Sequence, residues 1–151
     1  MFCIAVRPYP GLKPDGSIKI RPIDDMTVSM INAATWAKEK LSCDTLDLFF
    51  ASMQRLEHLV EGPKKLWKAD IDAAFRRIPI RVDHRQYAQI VLQIGEDVLT
   101  SQHLTMMFGS VSSVHAWHRV CRLLRALARR LLWLPVLTYV DDYFAIDLKP
   151  N

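Results

Sequence analysis

Two short runs, residues 136–140 and 143–146, are apolar and rich in β-branched or aromatic side chains, and only Asp141 and Asp142 separate them. So short a connection leaves no room for a crossover, so the runs are expected to pair as an antiparallel hairpin with both carboxylates at its turn. A second acidic pair, Asp70 and Asp72, ends another apolar run over residues 66–71. Carboxylates at the ends of buried strands are costly unless they meet water or a cation. Brought together they repel, and a divalent ion relieves that repulsion. A hard cation such as Mg²⁺ favours carboxylate oxygen together with substrate phosphate. Taken alone, Asp141-Asp142 reads first as an ordinary polar turn.

The rest of the chain alternates strands with helices. Residues 7–17 concentrate Pro8, Pro10, Gly11, Pro14 and Gly16, and residues 17–21 alternate polar with apolar, which predicts a hairpin with Asp15-Gly16 at its tip. Asp44 or Thr45 is placed to cap a helix running to about residue 60, with Leu46, Phe49, Phe50, Met53 and Leu56 at helical spacing and Gly62-Pro63 beyond its end. A strand over 66–71 and a short helical turn over 73–77 follow, then two strands over 87–94 and 98–104 joined at Gly95-Glu96-Asp97. The spacing predicts a long helix over 111–132 with Trp117, Val120, Leu124, Leu127 and Leu131 in one apolar stripe and Arg119, Arg122, Arg125 and Arg129 on other faces. Hairpins interleaved with helices define an α+β class with a mostly antiparallel sheet.

Composition narrows the partners. The length of 151 residues suits one domain with one core, and a net charge of +4 permits a polyanionic partner without demanding one. Cys3, Cys43 and Cys121 show no paired spacing, which argues against a disulfide framework and fits a reducing compartment. No charged segment followed by an apolar one opens the chain, and the longest apolar run, residues 131–137, is too short to span a bilayer. The expectation is a soluble intracellular protein, cytoplasmic or nuclear and not secreted. His115, His118 and Cys121 lack a fourth ligand and drift around the helix, so zinc is set aside and Cys121 is read as buried. The arginines of residues 119–130 suit phosphate contact as well as they suit a solvated face. No motif specifies an oligomeric state.

Tyr139-Val140-Asp141-Asp142 resembles the signature tetrapeptide of retroelement and retroviral reverse transcriptases. Upstream, Asp70-Ile71-Asp72-Ala73-Ala74-Phe75 with Ile78-Pro79 resembles the first palm motif of that family. Phe108-Gly109, with Trp117 and Arg119 beyond it, resembles the turn that opens the long palm helix, although Met107 stands where the family has proline. Lys19-Ile20-Arg21-Pro22-Ile23-Asp24-Asp25 followed by Asn32 resembles the fingers strand. These motifs stand in the family's order over residues 13–147, and the wording is closest to retrotransposon-like sequences.

The resemblance implies a polymerase palm with an antiparallel sheet packed on helices plus partial fingers, the thumb being absent. Residues 1–62 would be partial fingers with a connecting helix and 63–151 the palm, together one domain. It implies an RNA-directed DNA polymerase joining deoxynucleoside triphosphates to a primer on an RNA or DNA template. Asp70, Asp141 and Asp142 would be catalytic and, with the Ile71 carbonyl, would hold two Mg²⁺ ions, Mn²⁺ being an alternative. Arg21 would grip the triphosphate by forked hydrogen bonds, with Lys13 a weaker candidate. The amides of Asp72 and Ala73 would meet the triphosphate, Phe75 would be the steric gate against a 2′-hydroxyl, and Gly109 would let the backbone approach the template–nucleotide pair. Set against the family, the chain is expected to be a fragment or a decayed reading frame. Two rivals stand: a silent nucleic-acid-binding remnant, and an RNA-dependent RNA polymerase. Val140 and Phe75 argue against the second.

Overall fold

The computed structural model describes residues 5–148, apart from the side chains of residues 5–9, 20–23 and 93–94. In chain order the elements are β1 (Ala5–Leu12), β2 (Ile18–Asp25), α1 (Ile31–Ala34), α2 (Leu46–Leu59), β3 (Lys64–Asp70), β4 (Gln89–Ile94), β5 (Asp97–Gln102), α3 (Val111–Leu131), β6 (Leu137–Tyr139) and β7 (Asp142–Leu148). Two 3₁₀ turns, Ala74–Arg77 and Val82–Tyr87, lie between β3 and β4. Among the described residues every strand pair is antiparallel, in three small sheets ordered β1-β2, β3-β7-β6 and β4-β5. This is a mixed α+β fold. Among the described residues no helix is long and apolar enough to cross a membrane.

The chain divides into two compact units, each discontinuous in sequence. The first comprises residues 1–38 and 75–116. Its β1-β2 hairpin turns where the sequence predicts, because the Asp15 side chain accepts hydrogen bonds from the Ser17 amide at 2.9 Å and hydroxyl at 2.6 Å, while Gly16 supplies φ 80°. Its core gathers Met26, Ile80, Ala88 and Met107, with Ile31, Ile90 and Met106 against them. The β4-β5 hairpin turns at Gly95 as expected, but its first strand begins only at Gln89. Residues 82–87, lacking any apolar period, instead wind into 3₁₀ structure.

The second unit comprises residues 39–74 and 117–151. Thr45 caps α2, its hydroxyl accepting from the Leu48 amide at 3.3 Å, so of the two candidate caps the threonine is used. Phe49 of α2 meets Phe144 of β7 edge-on at 5.7 Å between ring centroids. Leu137, Tyr143, Ala145 and Ile146 are buried in the three-stranded sheet, and Val136 is buried just before β6.

The predicted apolar stripe of α3 is corrected in part. Trp117 is buried, but Leu124, Leu127 and Leu131 are exposed. The buried positions are Ser113, Trp117, His118 and Cys121, spaced as one helical face but too polar to announce it. Cys121 is buried as expected, and Cys3 lies outside the described residues. The arginines also divide. Only Arg125 is half-buried, bonded to Asp44 at 2.7 Å; Arg119, Arg122, Arg129 and Arg130 are exposed, Arg119 pairing with Glu39 at 2.9 Å and Arg129 donating to the Val136 carbonyl at 3.0 Å.

Candidate active site

The hairpin of β6 and β7 carries the tetrapeptide, but its turn is shifted by one residue from the expectation. Val140 and Asp141 form the turn, and Asp142 opens β7. The cause is the third strand. Asp142 pairs with Tyr139 on one side and with Asp70 on the other, which recruits it into the ladder. Val140 has φ 54°, an unusual backbone for a β-branched residue. The indole Nε1 of Trp117 donates to the Val140 carbonyl at 2.9 Å and fixes the turn in that conformation. In the sequence Trp117 stands in the apolar stripe and in the motif that follows Phe108-Gly109, with no signal of this bond.

The register brings the acidic residues together at one end of the sheet. Cross-strand partners share a face, so Asp70 and Asp142 stand side by side. Asp141 joins them through the backbone, its carbonyl accepting from the Ile71 amide at 3.4 Å. Lys68, two residues before Asp70 and so on the same face, reaches Asp142 at 3.0 Å. That hydrogen bond, the Asp142 charge and then those of Asp70 and Asp141 raise the Lys68 pKa above its usual value. Like charges facing each other on a ladder are destabilising, and Lys68 offsets part of that repulsion. In the sequence Lys68 is marked only by its spacing of two residues before Asp70.

The donor set suits a hard cation, because the register juxtaposes carboxylates and Mg²⁺ takes one or two of them with substrate phosphates supplying the remainder. The side chains themselves are not drawn into a cage: among the described residues no group of three or more His, Cys, Asp or Glu is arranged to hold a metal ion. Behind the carboxylates, burial pushes the Tyr143 hydroxyl well above the usual phenol range, and it donates to the Cys121 carbonyl at 3.5 Å. Asp72 and Ala73 form the exposed turn after β3, and Ala73 has φ 53°, again a left-handed backbone on a residue with a Cβ.

The remaining predicted residues belong to the first unit. Arg21 lies in β2 opposite Tyr9, and its side chain falls outside the described residues. Lys13 is exposed in the β1-β2 turn, where its amide donates to the Ser17 carbonyl at 2.9 Å. Phe75 opens onto Phe108, edge to face at 5.4 Å. Gly109 has φ 81°, and a Cβ there would collide with the Asp24 carbonyl oxygen. The glycine therefore has an internal reason, close packing on the Asp24 backbone, beside the approach to a ligand inferred from the resemblance. Asn32 completes this corner: it donates to the Gly109 carbonyl at 2.8 Å and accepts from the Val111 amide at 3.0 Å, closing the start of α3.

No family model matches the chain. No curated protein matches it. Among solved structures it is similar to a foamy viral protease-reverse transcriptase in complex with double-stranded DNA, with a TM-score of 0.60 and 19% identity over 95% of this chain and 22% of that one. The chain thus spans about a fifth of that protein's length, and the likeness is one of fold.

Proposed function

We propose that this chain is the fingers–palm part of a reverse transcriptase-like enzyme, carrying out template-directed DNA synthesis from deoxynucleotides. The observation that carries the reading is the register that sets Asp70 beside Asp142, with Asp141 tied to Ile71 in the adjoining turn. The order of the sequence motifs and the likeness of fold support it. In this reading Asp70 and Asp141, with Asp142 and the Ile71 carbonyl beside them, hold two Mg²⁺. Bound there, the ions would supply a lowered pKa for the attacking 3′-hydroxyl of the primer and charge neutralisation at the leaving pyrophosphate.

The protein's own contributions are positional. Arg21 grips the triphosphate, helped by Lys13, and the amides of Asp72 and Ala73 add hydrogen bonds to it. Phe75 excludes the 2′-hydroxyl and so selects deoxynucleotides. Lys68 holds Asp142 and limits carboxylate repulsion when no cation is bound. Template and primer are the nucleic-acid partners, and the work belongs inside the cell. A silent nucleic-acid-binding module is the second reading, favoured by one observation: Asp142 is already engaged by Lys68.

Primer extension on an RNA template, with deoxy- or ribonucleotides and with or without Mg²⁺, tests the proposal. Extension with deoxynucleotides that needs Mg²⁺ and is abolished by Asp141→Asn in a folded protein is expected. Undiminished extension by Asp141→Asn would remove Asp141 from the chemistry.

A further inference from the structure

Phe75 does not stand alone. Its ring meets Phe108 at 5.4 Å with the planes at 79°, and the Arg76 guanidinium lies 5.6 Å from the centroid of that same Phe108 ring. Arg76 is itself held at both ends of its fork. Its Nη2 meets Asp24 Oδ2 at 3.3 Å, and its Nη1 bonds His103 Nδ1 at 2.8 Å. Both partners are anchored, the Asp24 side chain being 5% exposed and that of His103 12%. The Asp24 backbone packs against Gly109 and accepts from the Met26 amide at 3.1 Å. A run of contacts therefore leads from a buried carboxylate through one guanidinium to Phe108, and from Phe108 to Phe75.

We propose that Arg76 is a positioning residue for nucleotide sugar selectivity: by clamping Phe108 it holds the ring of Phe75, the gate against a ribose, in one orientation. The inference rests on the polymerase reading above and adds to it a residue that touches no substrate. A gate discriminates a single hydroxyl only if its ring does not yield, and a displacement of about 1 Å is enough to spoil such positioning. A planar guanidinium suits the task because its fork fixes it while its face rests on a ring. Met at this position would keep the length of the side chain and lose both holds.

The test measures kcat and KM for a deoxynucleotide and the matching ribonucleotide in single-nucleotide incorporation, together with equilibrium binding of both triphosphates without turnover. The wild-type chain is compared with Arg76→Met, Arg76→Lys and Phe108→Leu. Arg76→Met is expected to lose up to about tenfold in deoxy-over-ribo preference, the scale of one cation–π contact, chiefly through a lower ribonucleotide KM. Arg76→Lys should recover part of it. Phe108→Leu should lose as much, and since Phe108 is 39% exposed it serves as the test if Arg76→Met does not fold. Wild-type preference retained in both Arg76→Met and Phe108→Leu would overturn the role of Arg76 and leave the polymerase reading standing. A wild-type chain that binds neither nucleotide would overturn both together.

Discussion

Removing the charge of Asp44 should weaken the fold at the strand that presents the tetrapeptide. A single oxygen, Asp44 Oδ2, accepts from Arg125 Nη1 at 2.7 Å and from the Thr138 amide at 2.8 Å, with the Thr138 hydroxyl at 3.4 Å. The two charged side chains are 11% and 19% exposed, so water replaces little of what is lost. Hydrogen bonds to a charged group contribute about 1.5–3 kcal/mol, and stripping one partner from a buried pair costs about 3–5 kcal/mol. Residual exposure places Asp44→Ala near the lower end, about 3 kcal/mol. Asp44→Asn should cost about 2 kcal/mol, since its amide oxygen still accepts from Thr138 and Arg125 but no longer carries the charge that strengthens both bonds. Arg125→Met should cost less, about 1–2 kcal/mol, because Asp44 keeps Thr138. Urea unfolding of the three variants, with the Asp44→Asn/Arg125→Met double mutant to close the cycle, checks these values through midpoint shifts at constant slope. An Asp44→Asn loss below about 0.5 kcal/mol would show that the pair is a surface contact and refute the reasoning. Thr138 lies in β6, next to the Tyr139 that faces Asp142, so the same variant should also loosen the carboxylate register.

Other perturbations follow from the same geometry. Trp117→Phe keeps a buried ring but orphans the Val140 carbonyl, and should lose about 1–3 kcal/mol in urea unfolding with faster amide exchange at Asp141 and Asp142; unchanged exchange would mean the turn holds itself. Gly109→Ala forces a Cβ into a left-handed backbone against the Asp24 carbonyl, and its unfolding midpoint should fall by the equivalent of about 2–4 kcal/mol. Thr45→Ala should cost about 1 kcal/mol and lower the helical circular dichroism signal, whereas Thr45→Asn should be nearly neutral.

Local signals were legible in the sequence and relations between distant strands were not. Asp15-Gly16 and Thr45 act on neighbours a few residues away, and both elements form where expected. The tetrapeptide turn misplaced by one residue is of the other kind. Nothing within residues 136–146 says that Asp142 will join a ladder, because the strand that recruits it begins at Lys64. The same holds on α3, where the buried face includes Ser113 and His118 while Leu127 and Leu131 are exposed, since burial there depends on what packs against the helix. Of the candidate site, the carboxylates and Phe75 were readable as residue types in order. Lys68 on Asp142, Trp117 on Val140 and Arg76 over Phe108 were not, because each is a pairing across the fold.

The central claim is that Asp70, Asp141 and Asp142 form a cation site serving nucleotidyl transfer. Binding of Mn²⁺ followed by electron paramagnetic resonance, in the presence of a deoxynucleoside triphosphate, measures it without requiring turnover. The account predicts Mn²⁺ binding that Asp70→Asn and Asp141→Asn each weaken by at least about tenfold, with the folded circular dichroism spectrum retained. Equal Mn²⁺ affinity in the wild type and both variants would contradict it.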